Sequence, residues 1–296
     1  MDERNPLIGF IGAGALGKGL ALALASQGYR VVGAHSRSAG SAQALAERIS
    51  GCRAFATAQE LADTVDLVFI TTPDSAIRQV SAGVTWRPGQ GVVHCSGAAS
   101  VEILQPASDQ AAVAGAFHPL QSFAGLADPM DAASRLTGVT FAVAGSGWLS
   151  KFLWDMAGQL GGRPISISDA DRPLYHCAAG FASVYLPALL QAAADMLETM
   201  GFSEQQAVQS LYPLFRVTLE TAAQKGVAAS AAGAIVRGDV STVHSHLEAL
   251  FQRLPDLLPL YGVLAAASLP LAARHGVGPG QISAMEELID HYTGAE

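Results

Sequence analysis

Three apolar stretches of the sequence lead into residues that can bind a ligand or hold a proton. "LVFITTPD" carries Thr72 and Pro73, "VVHCSG" carries Ser96, and "GAFHPL" carries His118. Apolar runs of this length predict buried strands, and ligands of an open α/β sheet bind beyond the carboxyl ends of its strands. These residues are therefore predicted to share one cleft. His118 is the first candidate for a proton donor or substrate anchor, because imidazole is a suitable acid near neutral pH. The alternative is that His118 is a loop histidine that bonds to the backbone beside Pro119.

A glycine-rich turn comes before these stretches. Gly12, Gly14 and Gly17 in "GAGALG" follow the apolar run 7–11 and precede an Ala- and Leu-rich stretch of helical character. In such a turn the first glycine permits a tight bend, the second lets a pyrophosphate approach, and the third lets the helix pack on the strand. The helix N-terminus then offers unpaired N–H groups to phosphates. The spacing predicts a dinucleotide cradle, although a purely structural strand–helix turn would need the same glycines.

The end of the next predicted strand indicates which dinucleotide is bound. A site for NAD usually places Asp or Glu about 20 residues after the glycines, to bind the ribose 2′-hydroxyl. The chain has no acidic residue between Glu3 and Glu47, and Ser36, Arg37 and Ser38 occupy the relevant position. A guanidinium and two hydroxyls suit a 2′-phosphate, which a carboxylate would repel. We therefore predict NADP(H) as the cofactor; the alternative is that Arg37 only faces solvent.

A bound nicotinamide cofactor predicts hydride transfer to a small carbonyl or imine compound, without a metal. The protein then has to orient the reactants and stabilise charge. Ser96 could bond the carboxamide or the substrate, or simply form a turn. His176 opens a predicted helix and either faces the cleft or packs there, and packing is favoured. His94 lies within an apolar run and is expected to be a satisfied structural histidine.

The three lysines bear on an alternative mechanism. Some reductases of hydroxy acids use a helix lysine as the proton donor. Here Lys18 lies in the predicted cofactor-binding helix, Lys151 precedes the predicted domain boundary, and Lys225 lies at a predicted helix end. None has a catalytic context, so a lysine-type hydroxyacid dehydrogenase is disfavoured. His244 and His246 fall on different helix faces, so they do not predict a shared metal.

The elements that position these residues form two groups. Strand-length apolar runs alternate with helical stretches in the first part of the chain, at residues 7–11, 30–34, 67–72, 91–95, 113–117, 139–144 and 164–168. This alternation predicts an α/β Rossmann domain over residues 1–168, with a mostly parallel sheet and helices on both faces. After Ser168 no strand is predicted. Residues 169–296 are predicted to form an all-α domain for substrate binding and dimerisation, starting near Asp171 and Pro173.

Composition narrows the class of protein. A net charge of −8 over 296 residues argues against a nucleic-acid partner. Three cysteines without a paired motif and a charged N-terminal stretch, "MDERNP", predict a cytoplasmic protein without a signal peptide. Two apolar stretches, "CAAGFASVYLPALLQAAA" and "LLPLYGVLAAASLPLAA", are interpreted as buried core helices rather than membrane spans.

Seven stretches together resemble a known family. They are "IGFIGAGALGKGLALAL", "GAHSRS", "VFITTPD", "VVHCSGA", "FHPLQSF", "YHCAAGFASVYL" and "RGDVSTV". They are similar to bacterial Rossmann-like NAD(P)-binding proteins with a helical C-terminal domain of unknown function, which are related to pyrroline-5-carboxylate reductase and the deazaflavin-dependent NADP reductases. The resemblance implies an NADP-dependent oxidoreductase that pairs as a homodimer through its helical domain.

The resemblance also implies roles for individual residues. Cofactor contacts are implied at Gly12, Gly14, Ala15, Leu16, Gly17, Ser36, Arg37 and Ser38, with Thr72 and Pro73 passing the nicotinamide ribose. Ser96 and His118 would line the active cleft, with His176 across from them. The sequence departs from the family pattern at two places. Val184 occupies a position where family members often have asparagine, and residues 232–236 differ from the family sequence. They leave open a different substrate, or a protein that binds NADP(H) as a sensor or scaffold without turnover.

Overall fold

The computed structural model describes residues 5–126 and 128–294, so the charged residues 1–4 lie outside the described part of the chain. Eight strands form one sheet in the order β3-β2-β1-β4-β5-β6-β7-β8. They are β1 (Ile8–Ile11), β2 (Val31–His35), β3 (Arg53–Ala54), β4 (Leu67–Ile70), β5 (Gly91–His94), β6 (Val113–Pro119), β7 (Thr140–Gly145) and β8 (Arg163–Ser166). All neighbouring strands pair in parallel except β6 and β7, which are antiparallel. The predicted Rossmann-like sheet is confirmed.

Helices alternate with these strands along the chain. They are α1 (Ala15–Ser26), α2 (Ala39–Ala46), α3 (Ala58–Thr64), α4 (Asp74–Ala82), α5 (Gln105–Ser108), α6 (Pro129–Ser134), α7 (Gly147–Gln159) and α8 (Arg172–Gly180). A capping box defines the start of α3, where Thr57 accepts from the backbone N–H of Glu60 and the Glu60 carboxylate accepts from the Thr57 N–H.

The sheet is buried on both faces, as expected for a parallel sheet covered by helices. In β4 the side chains of Leu67 and Phe69 belong to one buried cluster, while Val68 and Ile70 belong to another. Alternate residues of a strand point to opposite faces, so β4 contributes to two cores at once. This explains why the central strands are continuous apolar runs that the sequence made easy to locate.

Each of the seven predicted strands corresponds to an observed strand, with bounds that differ by a few residues. The sequence analysis missed β3, which has two residues and begins with the exposed Arg53. A strand this short at the edge of a sheet leaves no apolar run to detect.

The chain divides into two compact units, Met1–Ser183 and Val184–Glu296. The division therefore falls later than residue 168, where the sequence analysis placed it. The sheet does end at Ser166, as the loss of strand patterns indicated. Helix α8 nevertheless belongs to the first unit, because Tyr175 on this helix bonds to His118 at the end of β6.

The second unit is helical, as predicted. It contains α9 (Leu186–Glu198), α10 (Glu204–Lys225), α11 (Val227–Ser230), α12 (Ala234–Arg237), α13 (Val240–Arg253), α14 (Leu258–Arg274) and α15 (Pro279–Thr293). Asp239 caps α13 by accepting from the backbone N–H of Thr242. Leu247, Leu250, Leu269 and Met285 belong to the core of this unit.

The two apolar stretches are not the buried helices that the sequence analysis expected. The helical run Arg172–Glu198, which includes one π-helical turn at Phe181–Tyr185, is 11% buried over its most apolar part. The run Pro255–Arg274 is 28% buried. Both are long and apolar enough to cross a membrane, a test that helices of soluble proteins also pass. Their apolar side chains are largely exposed in this single chain.

Candidate cofactor and active site

The glycine turn between β1 and α1 is shaped so that side chains are excluded from two of its positions. Gly12 has a φ of 109°, and a Cβ atom there would lie 2.7 Å from the carbonyl carbon of Thr71. A Cβ atom on Gly17 would lie 2.3 Å from the carbonyl oxygen of Gly12. The Thr71 hydroxyl donates to that same oxygen at 2.7 Å, which ties the turn to the end of β4. Glycine is therefore required at both positions.

The second glycine of the turn, Gly14, faces open space. No heavy atom lies within 4 Å of the position that a Cβ atom on Gly14 would take. Gly14 is the N-cap of α1, no side chain caps this helix, and its first turn contains no acidic residue. The N–H groups at this helix start have no side-chain acceptor, so a phosphate can bind them. Ala15 is exposed and Leu16 is half-buried against the core, so this turn offers a ligand its backbone groups and no polar side chain.

Residues suited to a 2′-phosphate follow β2. The backbone N–H of Gly12 donates to the carbonyl of His35 at 2.8 Å, which places the end of β2 beside the glycine turn. Ser36 is partly buried, while Arg37 and Ser38 are exposed. Within the described residues the Arg37 guanidinium forms no ion pair, and the Ser38 hydroxyl forms no cap bond to α2. This basic, acid-free segment fits a phosphate.

The ends of β4 and β5 are joined by a short hydrogen bond. The Ser96 hydroxyl donates to the Asp74 carboxylate at 2.5 Å and accepts from the backbone N–H of Ala99 at 3.0 Å. Thr72 has a buried hydroxyl without a partner among the described residues, and Pro73 is the exposed N-cap of α4. Ser96 therefore both forms a turn and holds a carboxylate at this edge of the sheet.

His94 is buried but only half satisfied, which differs from the expected structural role. Its Nδ1 accepts from the backbone N–H of Ser96 at 3.2 Å, whereas its Nε2 has no hydrogen-bond partner in the described part of the chain. Burial lowers the pKa of His94 to about 4, and the positive charge of Arg172 acts in the same direction, against the carboxylate of Asp74. His94 is therefore neutral at pH 7.

His118 is held by a tyrosine that the sequence analysis did not identify. Nδ1 of His118 lies 2.9 Å from the Tyr175 hydroxyl, and the two rings meet edge to face. Burial lowers the pKa of His118 to about 4, with a further contribution from His176. Burial raises the pKa of Tyr175 to about 12. At neutral pH the pair is uncharged, so His118 is not the ready imidazolium acid that its residue type suggested.

Three predicted residues meet around Gly97. A Cβ atom on Gly97 would lie 2.8 Å from Nε2 of His118 and 3.0 Å from Cδ2 of His176. Ser96 is the preceding residue, so the structure brings Ser96, His118 and His176 together as predicted. His176 itself is exposed, with no hydrogen bond in the described part of the chain.

The sheet order arranges all of these sites along one edge. The parallel strands β2, β1, β4, β5 and β6 are consecutive neighbours. The residues at or just beyond their carboxyl ends are therefore ordered in the same way: Arg37, Gly12, Thr72, Ser96 and His118. Tyr175, Asp74 and Arg172 were not predicted as site residues from the sequence. Asp74 was visible in "TTPD", and Tyr175 directly precedes His176, but no spacing rule connects either of them to its partner.

Comparison with known families identifies both parts of the chain. Residues 2–119 match the Rossmann-like domain, and residues 139–268 match a domain of unknown function, DUF2520. The chain therefore has a Rossmann-like domain followed by a DUF2520 domain, which confirms the resemblance described above. The second match starts at β7, so it includes the last two strands of the sheet as well as the helical part.

Solved structures show the same fold over nearly the whole chain. BF3122 of Bacteroides fragilis, provisionally assigned as an NADP oxidoreductase, is 23% identical with a TM-score of 0.71, covering 90% of this chain and 98% of its own. The 1-pyrroline-5-carboxylate reductase of Streptococcus pyogenes is 18% identical with a TM-score of 0.60, covering 98% and 100%. A reductive aminase of Aspergillus terreus, in complex with NADPH and ethyl-5-oxohexanoate, is 15% identical with a TM-score of 0.60, covering 97% and 93%. No curated protein matches the chain.

Proposed function

We propose that this chain is an NADPH-dependent reductase that converts a small imine to an amine. The observation that carries the proposal is the row of sites along one sheet edge, which runs from an acid-free basic segment through a glycine cradle to the His118–Tyr175 pair. When bound, NADPH supplies the hydride. The similar folds of an NADPH-bound reductive aminase and a pyrroline-5-carboxylate reductase support this reaction class.

The residues present fit the cofactor. Gly12 and Gly17 keep the turn tight, and Gly14 leaves room for a pyrophosphate at the start of α1. In this proposal Ser36, Arg37 and Ser38 bind the 2′-phosphate. Arg37 has no competing carboxylate partner in the described residues, so its guanidinium is available for paired bonds to an anion.

The charge state of the site favours an imine over a carbonyl compound. His118 is uncharged at neutral pH, so it does not offer a proton readily. A protonated imine brings its own proton, and addition of a hydride to its carbon then gives a neutral amine. The Asp74 carboxylate, held by Ser96, supplies a negative charge that stabilises such a cation. A carbonyl substrate would instead need the Tyr175 hydroxyl as its proton donor.

A direct assay tests this function. Oxidation of NADPH is followed with a panel of cyclic imines and with the matching cyclic ketones, before and after treatment with EDTA. We expect turnover of imines in preference to ketones, with no effect of EDTA, because the proposed reaction uses no metal. Absence of NADPH oxidation with every imine would overturn the proposal.

A sensor or scaffold that binds NADP(H) without turnover is the second candidate. It is supported by the Ser96 hydroxyl and Nδ1 of His118, which already have partners within the protein, and by Val184 in place of the family asparagine. Tight binding of NADPH in calorimetry, combined with no turnover of any imine or ketone, would favour this candidate. A lysine-type dehydrogenase has less support, because Lys151 pairs with Asp155 and Lys18 lies within α1.

We further propose that the helical part pairs two copies of the chain into a cytoplasmic homodimer. Large apolar side chains are exposed on several helices: Leu174, Phe181, Val184, Tyr212, Leu214, Val217, Leu219 and Val263. Monomeric soluble proteins rarely expose large apolar surfaces. A second copy would cover them, which explains the exposed apolar run Arg172–Glu198 without a membrane.

A further inference from the structure

Arg172 carries a buried guanidinium that has no role in the reaction proposed so far. Its side chain is fully buried, and its Nε donates to the Asp169 carboxylate at 3.1 Å. Both terminal nitrogens, Nη1 and Nη2, are buried without a hydrogen-bond partner among the described residues. A buried guanidinium with two unpaired NH₂ groups is costly, so its surroundings are expected to hold an acceptor when the protein works.

The position of Arg172 on α8 places such an acceptor beside the candidate active site. Arg172, Tyr175 and His176 are spaced i, i+3 and i+4 on α8, so they share one face of the helix. Tyr175 on this face bonds to His118, and His176 on this face reaches Gly97. The guanidinium therefore lies on the side of α8 that faces the ends of β5 and β6.

The charges around Arg172 indicate the kind of acceptor. Its positive charge acts on His94, His118 and Tyr175 together, which supports their closeness. The carboxylates of Asp169 and Asp74 are the negative charges nearby, and the two buried histidines are neutral at pH 7. One guanidinium and two carboxylates sum to a net charge of −1, so a singly charged carboxylate is better tolerated here than a dianionic phosphate. Two parallel N–H donors match a carboxylate in geometry as well.

We propose that Nη1 and Nη2 of Arg172 bind the carboxylate of the substrate, so that the substrate is a small imino acid. The assignment to an imino acid rests on the proposed imine reduction; the carboxylate site itself does not. The carboxylate would hold the substrate by one end while its C=N group lies beside His118 and Tyr175. This arrangement gives the site one anchor for each charge of a zwitterion, since Asp74 faces the protonated nitrogen.

A binding experiment tests the site without turnover. Pyridine-2-carboxylate places a carboxylate next to a C=N bond, cannot be reduced under these conditions, and has a neutral isostere in pyridine-2-carboxamide. Calorimetry with the full chain and NADP⁺ should give about tenfold tighter binding, or more, of the acid than of the amide. Arg172→Gln should remove this preference, while the exposed Arg163→Gln should keep it. Equal affinities in the wild type, or a preference retained in Arg172→Gln, would overturn the proposal.

A second variant decides the question if Arg172→Gln does not fold. Asp169 has a half-exposed side chain, so Asp169→Asn should fold, and it leaves the guanidinium without its competing carboxylate. We expect it to bind pyridine-2-carboxylate several-fold more tightly and the amide unchanged; no change for the acid would contradict the carboxylate site. Preferential binding of pyridine-2-carboxylate without reduction of any imine would contradict only the reductase function. Reduction of neutral imines without binding of pyridine-2-carboxylate would contradict only the carboxylate site at Arg172.

Discussion

The hydroxyl oxygen of Tyr175 lies 2.9 Å from Nδ1 of His118, which joins α8 to the end of β6 across 57 residues of sequence. Both groups are uncharged at neutral pH, because burial lowers the pKa of His118 and raises the pKa of Tyr175. The contact also places the face of α8 that carries Arg172 and His176 beside the same strand end. The chemistry that the site can perform follows from this pairing rather than from His118 alone.

Removal of the Tyr175 hydroxyl should separate the two kinds of substrate. In Tyr175→Phe we expect kcat with ketones to fall by about 100-fold, because this hydroxyl is the proton donor that a carbonyl needs. With imines, which arrive protonated, the loss should be about tenfold or less. Steady-state assays of both substrate classes measure this difference, and Tyr212→Phe on the exposed part of α10 is the control. Equal losses for ketones and imines would contradict the proposed route of the proton.

Arg37 should select the phosphorylated cofactor. Its guanidinium is exposed and unpaired within the described residues, so Arg37→Ala should weaken NADPH binding by about tenfold or more and leave NADH binding unchanged. Titration calorimetry with both cofactors measures the change, with Arg163→Ala as the control. Tighter binding of NADH than of NADPH by the wild-type protein would refute this assignment.

The glycine turn should respond differently at its first and second glycines. Gly12→Ala places a Cβ atom against the Thr71 carbonyl at a φ of 109°, so we expect a lower melting temperature together with loss of NADPH binding. Gly14→Ala meets no protein atom, so the melting temperature should stay near that of the wild type while NADPH affinity falls. Thermal unfolding and calorimetry on the two variants give this comparison. Full NADPH affinity in Gly14→Ala would argue against a phosphate at that position.

His94 should make the protein less stable in acid. Its pKa falls from an ordinary value of about 6.5 in the unfolded chain to about 4 in the folded protein. Between these values the unfolded chain binds more protons, so stability is lost as pH falls from about 6.5 towards 4. Each such histidine adds about 1.4 kcal/mol per pH unit to the slope. Urea unfolding at several pH values should show a shallower slope for His94→Gln; a slope equal to that of the wild type would contradict the prediction.

The exposed apolar helices should set the oligomeric state. Leu214 is 66% exposed on α10, and a charge at this position would be buried in a dimer interface. Sedimentation at micromolar concentration should show a dimer for the wild type and a monomer for Leu214→Glu. Gln209→Glu, on the same helix at an exposed polar position, should remain dimeric. A monomeric wild-type protein would remove the dimer from the proposal.

The strands could be predicted because a parallel sheet is buried on both faces, which leaves continuous apolar runs such as "LVFI". Strand-end residues such as Ser96 and His118 followed from the same runs. The contact between His118 and Tyr175 could not be predicted, because no local spacing connects residues so far apart. The burial of Arg172 could not be predicted either, because a basic residue at the start of a helix is expected to be exposed.

The absence of a side chain at residue 97 lets two imidazole rings approach the backbone of this turn. A single methyl group there would fall within 3.0 Å of both His118 and His176. Glycine at this buried position therefore lets both rings pack directly against the peptide backbone beyond the end of β5. A wider substrate range would have to be sought by substituting the exposed His176, because no larger residue fits at position 97.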